Sequence, residues 1–277
     1  MLSFNLFPGG RRFAITMSYD DGSRHDARLV DIFDRHGVKG AFHLNSGLLA
    51  ANDGSAGGCV RATDVRELYK NQEISCHTLT HPWPCEITKD RLAFETLQDR
   101  ANLEKRSGRV VRGMSYPFGQ YDREVAETMR ACGIAYSRTT AASGGFGVPQ
   151  NFMEWSPSCH HRDAPALAEK FLQLVNEDDG RRLRDWKLFY VWGHSFEFDR
   201  DNNWELIEEL CARVGGNDKI WHATNIEICD YVAAARAMRS SVDGSLAYNP
   251  SAVSVWASSG GADGRAVEIK AGETISA

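Results

Sequence analysis

At 277 residues, 42% of them hydrophobic and 25% charged, the chain suffices for one large α/β domain with a real core and is short for two. Its formal net charge of −5 leaves no basic footprint, which argues against nucleic acid as a partner. No run approaches the roughly 20 apolar residues of a membrane span, and residues 1–8 lack a positive stretch followed by a long apolar one, so no membrane partner or secretory leader is expected and the protein reads as cytoplasmic.

The elements follow one another as strand then helix. Residues 12–18 read as a strand, and 27–36 as a helix with Leu29, Ile32 and Phe33 on one face, stopped by Gly37. A strand at 39–44 is followed by a glycine-rich loop and a short helix, 64–70, capped by Thr63. The third strand is 72–76, and Thr88 caps a long helix, 89–107, ending before Gly108. A strand at 110–115 leads to helix 123–131, capped by Asp122 and closed by Gly133, and then to a strand at 134–138. Residues 140–162 read as irregular. Beyond them come a helix at 164–175, a strand at 187–192, a helix at 203–214, a strand at 219–223, and a helix at 226–239 capped by Asn225.

Seven strand-then-helix units argue for parallel strands with right-handed crossovers, either an open sheet or a closed barrel. The positions of the reactive residues favour the barrel. Asp20 and Asp21 follow the first strand, His77 the third, Pro117-Phe118-Gly119 the fourth, and His194 the sixth. All are carboxyl ends, the face on which barrel enzymes build their sites. The expected division is a barrel over residues 1–245 and a β-rich appendage over 246–277. In that appendage 253–256 and 266–269 form a hairpin around Gly260-Gly261-Ala262-Asp263-Gly264, and 273–275 add a short strand.

Asp20-Asp21 and the pair His77 and His81 offer a carboxylate and two imidazoles to a divalent metal, with one carboxylate left for proton transfer. Three protein ligands with an open fourth position mark a catalytic site rather than a structural one. Pro82 and Pro84 argue that the histidine pair lies on a loop or a single turn. Trp83 and Trp155 are candidates for stacking on a sugar, His160 and His161 for lining the pocket, and Trp192 is expected only in the core. Seven cysteines form no C-x-x-C pair and read as reduced, mostly buried thiols.

Four segments in order, Ser18-Tyr19-Asp20-Asp21-Gly22, His77-Thr78-Leu79-Thr80-His81, Tyr116-Pro117-Phe118-Gly119 and Gly193-His194-Ser195-Phe196, resemble the successive motifs of the polysaccharide deacetylase superfamily (NodB homology, carbohydrate esterase family 4). The resemblance covers about 12–235. It implies a distorted (β/α)7 barrel and a metal-dependent hydrolase that removes acetyl from an N-acetylated sugar or short glycan by attack of a metal-bound water. Zinc is the default ion, with cobalt, nickel, iron or manganese suited to the same donors. It implies Asp21, His77 and His81 as metal ligands, Asp20 as general base and His194 as general acid. Tyr116, Pro117 and Phe118 would lie at the substrate, with the Phe118 backbone N–H at the oxyanion. The family commonly carries an arginine two residues before the proline of the third motif. Here that position is Ser115, which leaves Arg112 as the nearest substitute. Glu197, Asp185 and Glu154 are the candidate partners for His194. The departure keeps two further readings open: hydrolysis of a small cyclic or ureide amide, and a non-catalytic glycan-binding module.

Overall fold

The structure, a computed structural model, describes residues 2–51, 58–178, 186–259 and 265–276. A first strand, β1 (Leu2–Leu6), precedes β2 (Phe13–Asp20), α1 (Asp26–His36), β3 (Gly40–Leu44), α2 (Val65–Leu68), β4 (Glu73–Cys76), α3 (Lys89–Ser107), β5 (Gly113–Ser115) and α4 (Arg123–Ala131). The chain continues through β6 (Tyr136–Arg138), β7 (Cys159–His160), α5 (Ala164–Glu177), β8 (Lys187–Gly193), α6 (Ser195–Arg200), α7 (Trp204–Val214), β9 (Ile220–His222) and α8 (Asn225–Ala237). It ends in β10 (Arg239–Ser240), β11 (Leu246–Tyr248), β12 (Val255–Ser259), β13 (Ala266–Ile269) and β14 (Thr274–Ser276).

The parallel sheet runs β6-β5-β4-β3-β2-β8-β7, and β9 also pairs with β2. All eight residues of β2 are buried, as expected of a central strand covered on both faces. One edge of β2 pairs with β8, while the other takes β9 at residues 13–15 and β3 at residues 17–20. This split distorts the ring. Residues 155–160 span the gap between β6 and β8. The Trp155 N–H donates to the Ser137 carbonyl (3.1 Å) and the Thr139 N–H to the Trp155 carbonyl (3.0 Å). The Ser158 N–H then donates to the Tyr190 carbonyl (2.7 Å) and β7 pairs with β8. The sheet thus curls into the distorted (β/α)7 barrel expected from the strand–helix alternation.

The helices form where the apolar spacing predicts. α1 buries Leu29, Val30, Ile32 and Phe33 and stops at Gly37, whose φ of 66° suits a residue without a Cβ. α4 starts at Asp122, whose side chain accepts from the Val125 N–H. α8 starts one residue earlier than expected. Thr224 is its cap, and Asn225 turns inward, where its carbonyl oxygen accepts from the Thr16 hydroxyl at 2.7 Å.

The tail contains the expected hairpin of β12 and β13, and its turn, 260–264, lies outside the described residues. β14 pairs with β11 instead of extending that hairpin, and β1 pairs antiparallel with β12. No helix among the described residues is long and apolar enough to cross a membrane.

Candidate active site

The residues singled out at strand ends meet at one mouth of the barrel. Asp20 closes β2, and Asp21 follows it with φ 76°. His77 follows β4, and His81 comes four residues on in a loop, as the prolines implied. Among the described residues five non-glycines have positive φ, and four of them, Asp21, Thr78, His81 and Phe118, lie at this mouth. Each left-handed residue costs on the order of 1–3 kcal/mol, which surrounding contacts must offset. For the loop that carries Thr78 and His81, those contacts come from α3. Asp99 accepts the N–H groups of Ser46 (2.7 Å) and His77 (3.1 Å), while Glu95 accepts the N–H (2.8 Å) and hydroxyl (2.9 Å) of Thr80. A buried acidic stripe on a helix thus clamps the loop that carries both histidines.

The donor atoms fit a divalent cation. His77 Nδ1 lies 2.8 Å from the Ser115 carbonyl, an atom that only accepts, so Nδ1 holds the proton and Nε2 keeps its lone pair. Burial favours the neutral imidazole and outweighs the pull of Asp20 and Asp21. That lone pair faces His81 Nε2 at 3.1 Å, and Asp21 Oδ1 lies 3.5 Å from His77 Nε2 and 3.7 Å from His81 Nε2. Two imidazole nitrogens and a carboxylate oxygen converge on one point, with strained backbone holding them there.

Asp20 is buried beside this set. One oxygen accepts from the Ser115 hydroxyl (3.1 Å) and the other from the Arg138 guanidinium. Burial would raise its pKa, but Arg138 and the nearby imidazoles of His77, His43 and His194 hold it well below the usual carboxylate range. Arg112 does not reach in; it pairs with Asp230 of α8 on the surface. Arg138 ends β6, and its charge also lies over the Trp192 ring at 4.3 Å. Sequence reasoning missed both residues. The available signal for Arg138 was its place, a cation at the carboxyl end of a barrel strand. Trp192, expected only to fill the core, packs at the site between Arg138, His160 (5.0 Å) and His194 (5.7 Å).

His194 faces the same centre, with Nε2 3.9 Å from Asp21 Oδ2 and Nδ1 3.5 Å from Glu197 Oε2. Burial would lower its pKa, yet Glu197, Asp20 and Asp21 raise it above the ordinary histidine value. Of the three proposed partners, Glu197 is the one at hand. Glu154 bonds Asn151 on the surface, and Asp185 lies outside the described residues. His160 and His161 also gather on Glu197.

The aromatic candidates divide. Trp83 and Phe118 are about half exposed and stack face to face (3.7 Å, 5°), with Phe118 against the His81 ring at 4.5 Å. Trp155 is 1% exposed and packs on Tyr136, Phe152 and Tyr190, so it presents no face to a sugar. Pro117 is buried. So is Tyr116, whose hydroxyl donates to the Met153 carbonyl at 2.9 Å. All seven cysteines are free thiols; Cys85 is exposed, Cys59 partly so, and five are buried.

The chain is a curled parallel barrel with two imidazoles and a carboxylate gathered at its carboxyl-end mouth. Residues 9–137 match the family described as polysaccharide deacetylase, which bears out the superfamily read from the motifs. No curated protein matches the chain. Among solved structures, a Mycobacterium smegmatis protein assigned to the polysaccharide deacetylases matches with TM-score 0.61 and 15% identity, over 85% of this chain and 96% of that one. The Xyl-CE4 domain of a multidomain xylanase from the hindgut metagenome of Trinervitermes trinervoides gives 0.52 and 14%, over 80% and 92%. A family 4 carbohydrate esterase from Streptomyces lividans, in complex with acetate, gives 0.50 and 12%, over 77% and 93%. The chain spans 55% of the length of the Streptococcus pyogenes deacetylase PplD. At such identities the likeness is one of fold.

Proposed function

We propose that the protein is a metal-dependent hydrolase that removes acetyl from an N-acetylated sugar or short glycan. One arrangement supports this above all: an ionised Asp20, paired with Arg138, stands beside the Asp21–His77–His81 set with His194 across from it. Asp21, His77 and His81 would hold the ion, zinc by default, and when bound it supplies Lewis-acid polarisation and lowers the pKa of water. The chain's own groups move the protons. Asp20 takes the proton from the water that attacks the acyl carbonyl. The Phe118 N–H is the proposed oxyanion donor, presented by a left-handed backbone. His194 protonates the departing nitrogen, because an amine anion is too basic to leave unaided.

The test is acetate release from a panel of N-acetylated mono- and oligosaccharides by wild type and Asp20→Asn, with metal content measured alongside. Release by wild type alone, with metal retained in both forms, is the expected result. Activity that survives complete metal removal would sink the proposal. Ring opening of a cyclic or ureide amide without acetate release would favour that second reading, whose main motive, the missing arginine, weakens now that Arg138 stands against Asp20. Glycan binding without acetate release by either form would favour a binding module.

A further inference from the structure

His160 and His161 have no task in this scheme, yet both approach the partner of the general acid. Glu197 Oε2 lies 2.9 Å from His160 Nε2, 3.5 Å from His161 Nε2 and 3.5 Å from His194 Nδ1, and it accepts the His194 backbone N–H at 3.4 Å. Two imidazoles and a carboxylate are also a cation donor set. The tautomer of His160 decides between the two uses. Its Nδ1 accepts the Arg162 backbone N–H at 3.3 Å, which places the ring proton on Nε2, the atom facing Glu197. A metal-binding nitrogen must be bare, whereas this one donates.

His161 completes the setting. Its ring stacks on Phe198 (4.2 Å, 28°), and burial pushes its pKa down to about 3, so it stays neutral. Gly193 makes room for it, since a Cβ there would meet His161 Nδ1 at 2.1 Å. Arg200 is a weaker contender for Glu197. It lies 3.5 Å from Oε1 and is engaged by Asp201 at 2.7 and 2.8 Å on the surface. The short contact belongs to His160, which is itself braced by the edge of Trp192.

We infer that His160 is a positioning residue for proton donation: by donating to Glu197 it fixes the carboxylate that accepts the His194 backbone N–H and faces His194 Nδ1 at 3.5 Å, and so keeps His194 Nε2 turned toward Asp21. This rests on the acetyl-hydrolase proposal, in which His194 is the general acid. The same carboxylate oxygen is therefore held by His160 at the rim while it faces His194 at the proposed reacting centre.

The test compares His160→Ala and His160→Gln in the protein as purified, on an N-acetyl sugar and on an O-acetyl ester with an activated leaving group. In His160→Ala the amide kcat should fall roughly 10–100-fold, the span for a hydrogen bond to a charged group. KM and metal content should stay put. The ester, which departs without protonation, should lose little, and His160→Gln, whose amide N–H donates to Glu197, should recover most of the amide rate. Equal losses on amide and ester, or no rescue by glutamine, would overturn the inference in favour of a merely structural role. So would a second equivalent of zinc bound by wild type and lost in His160→Ala. Nitrogen-15 shifts of the His194 ring give a readout independent of turnover: the Nδ1–H tautomer should dominate in wild type and weaken in His160→Ala. An unchanged tautomer refutes the positioning role. If wild type releases no acetate, the functional proposal fails, and the tautomer still judges His160.

Discussion

Two buried carboxylates occupy opposite ends of the barrel, and burial acts on both in the same direction. Asp20 ends β2 at the mouth, while Glu73 begins β4 at the other end. Burial pushes Glu73 up to about 7, although the Ile226 N–H and the hydroxyls of Tyr136 and Ser75 bond it at 2.7–2.8 Å and pull it back. Asp20, no less buried, stays far below the usual range because Arg138 stands against it. Neutral donors satisfy a carboxylate without keeping it charged; a guanidinium does both. The end with the counter-ion keeps its carboxylate ionised, as the general base proposed for Asp20 requires.

The sharpest way to break that comparison is Asp20→Asn, which keeps shape and removes basicity. Acetate-release kcat should drop roughly 10²–10⁴-fold, with metal content near wild type. His194→Ala should lose a similar factor on the amide and much less on an activated O-acetyl ester. Equal rates for wild type and His194→Ala on the amide would remove that histidine from the mechanism.

Arg138→Met tests the counter-ion itself. It leaves Asp20 buried without its partner, so urea unfolding should show a loss of about 3–5 kcal/mol. In Asp20→Asn/Arg138→Met part of that loss should return, because the stranded charge is gone. Strictly additive losses would mean that the pair does not act as one.

Glu73→Gln should have the smallest effect, near none on activity, and its signature is the pH dependence of stability. Glu73 has a folded pKa of about 7 against an ordinary 4.5. Between these values the unfolded chain has released the proton that the folded chain keeps, so wild-type stability falls as pH rises. The glutamine variant lacks this slope and should gain on wild type between pH 4.5 and 7, by on the order of 3 kcal/mol at most. Melting both proteins at pH 5 and pH 8 checks this. Asp26 and Asp99, also pushed up to about 7, remain in both and cancel in the difference.

Most of the barrel was legible because its strands and helices are short, periodic and punctuated by glycine and capping residues. What was not legible depends on contacts distant in sequence. β1 reads as an unremarkable N-terminal run until β12 is beside it. β7 is two residues long, and its strand character comes from β8 rather than from its own composition. At the site, ligand spacing and motif order marked Asp21, His77, His81 and His194. Arg138 was hidden because a guanidinium arriving from β6 occupies the place expected of the strand before it, and only the closed ring sets those two strand ends over the same carboxylate. The acidic stripe Glu95–Asp99 on α3 was hidden for a related reason. A helix with buried carboxylates looks like a weak amphipath until the loop that it bonds is in view.

The pairing of β2 also sets an order on biosynthesis. β3 is available to it early, but its other neighbours arrive with Lys187 and Ile220, and β1 waits for Ser259. A chain emerging from the ribosome therefore carries a central strand with one whole edge unpaired through most of its translation, a state prone to edge-to-edge association. The barrel cannot close by stepwise addition from the N-terminus. It closes late, when β8 and β9 reach back to a strand made long before, and such distant pairing makes for slow folding. Nascent chains halted before residue 187 should stay protease-sensitive through β2, and those released after β9 should not.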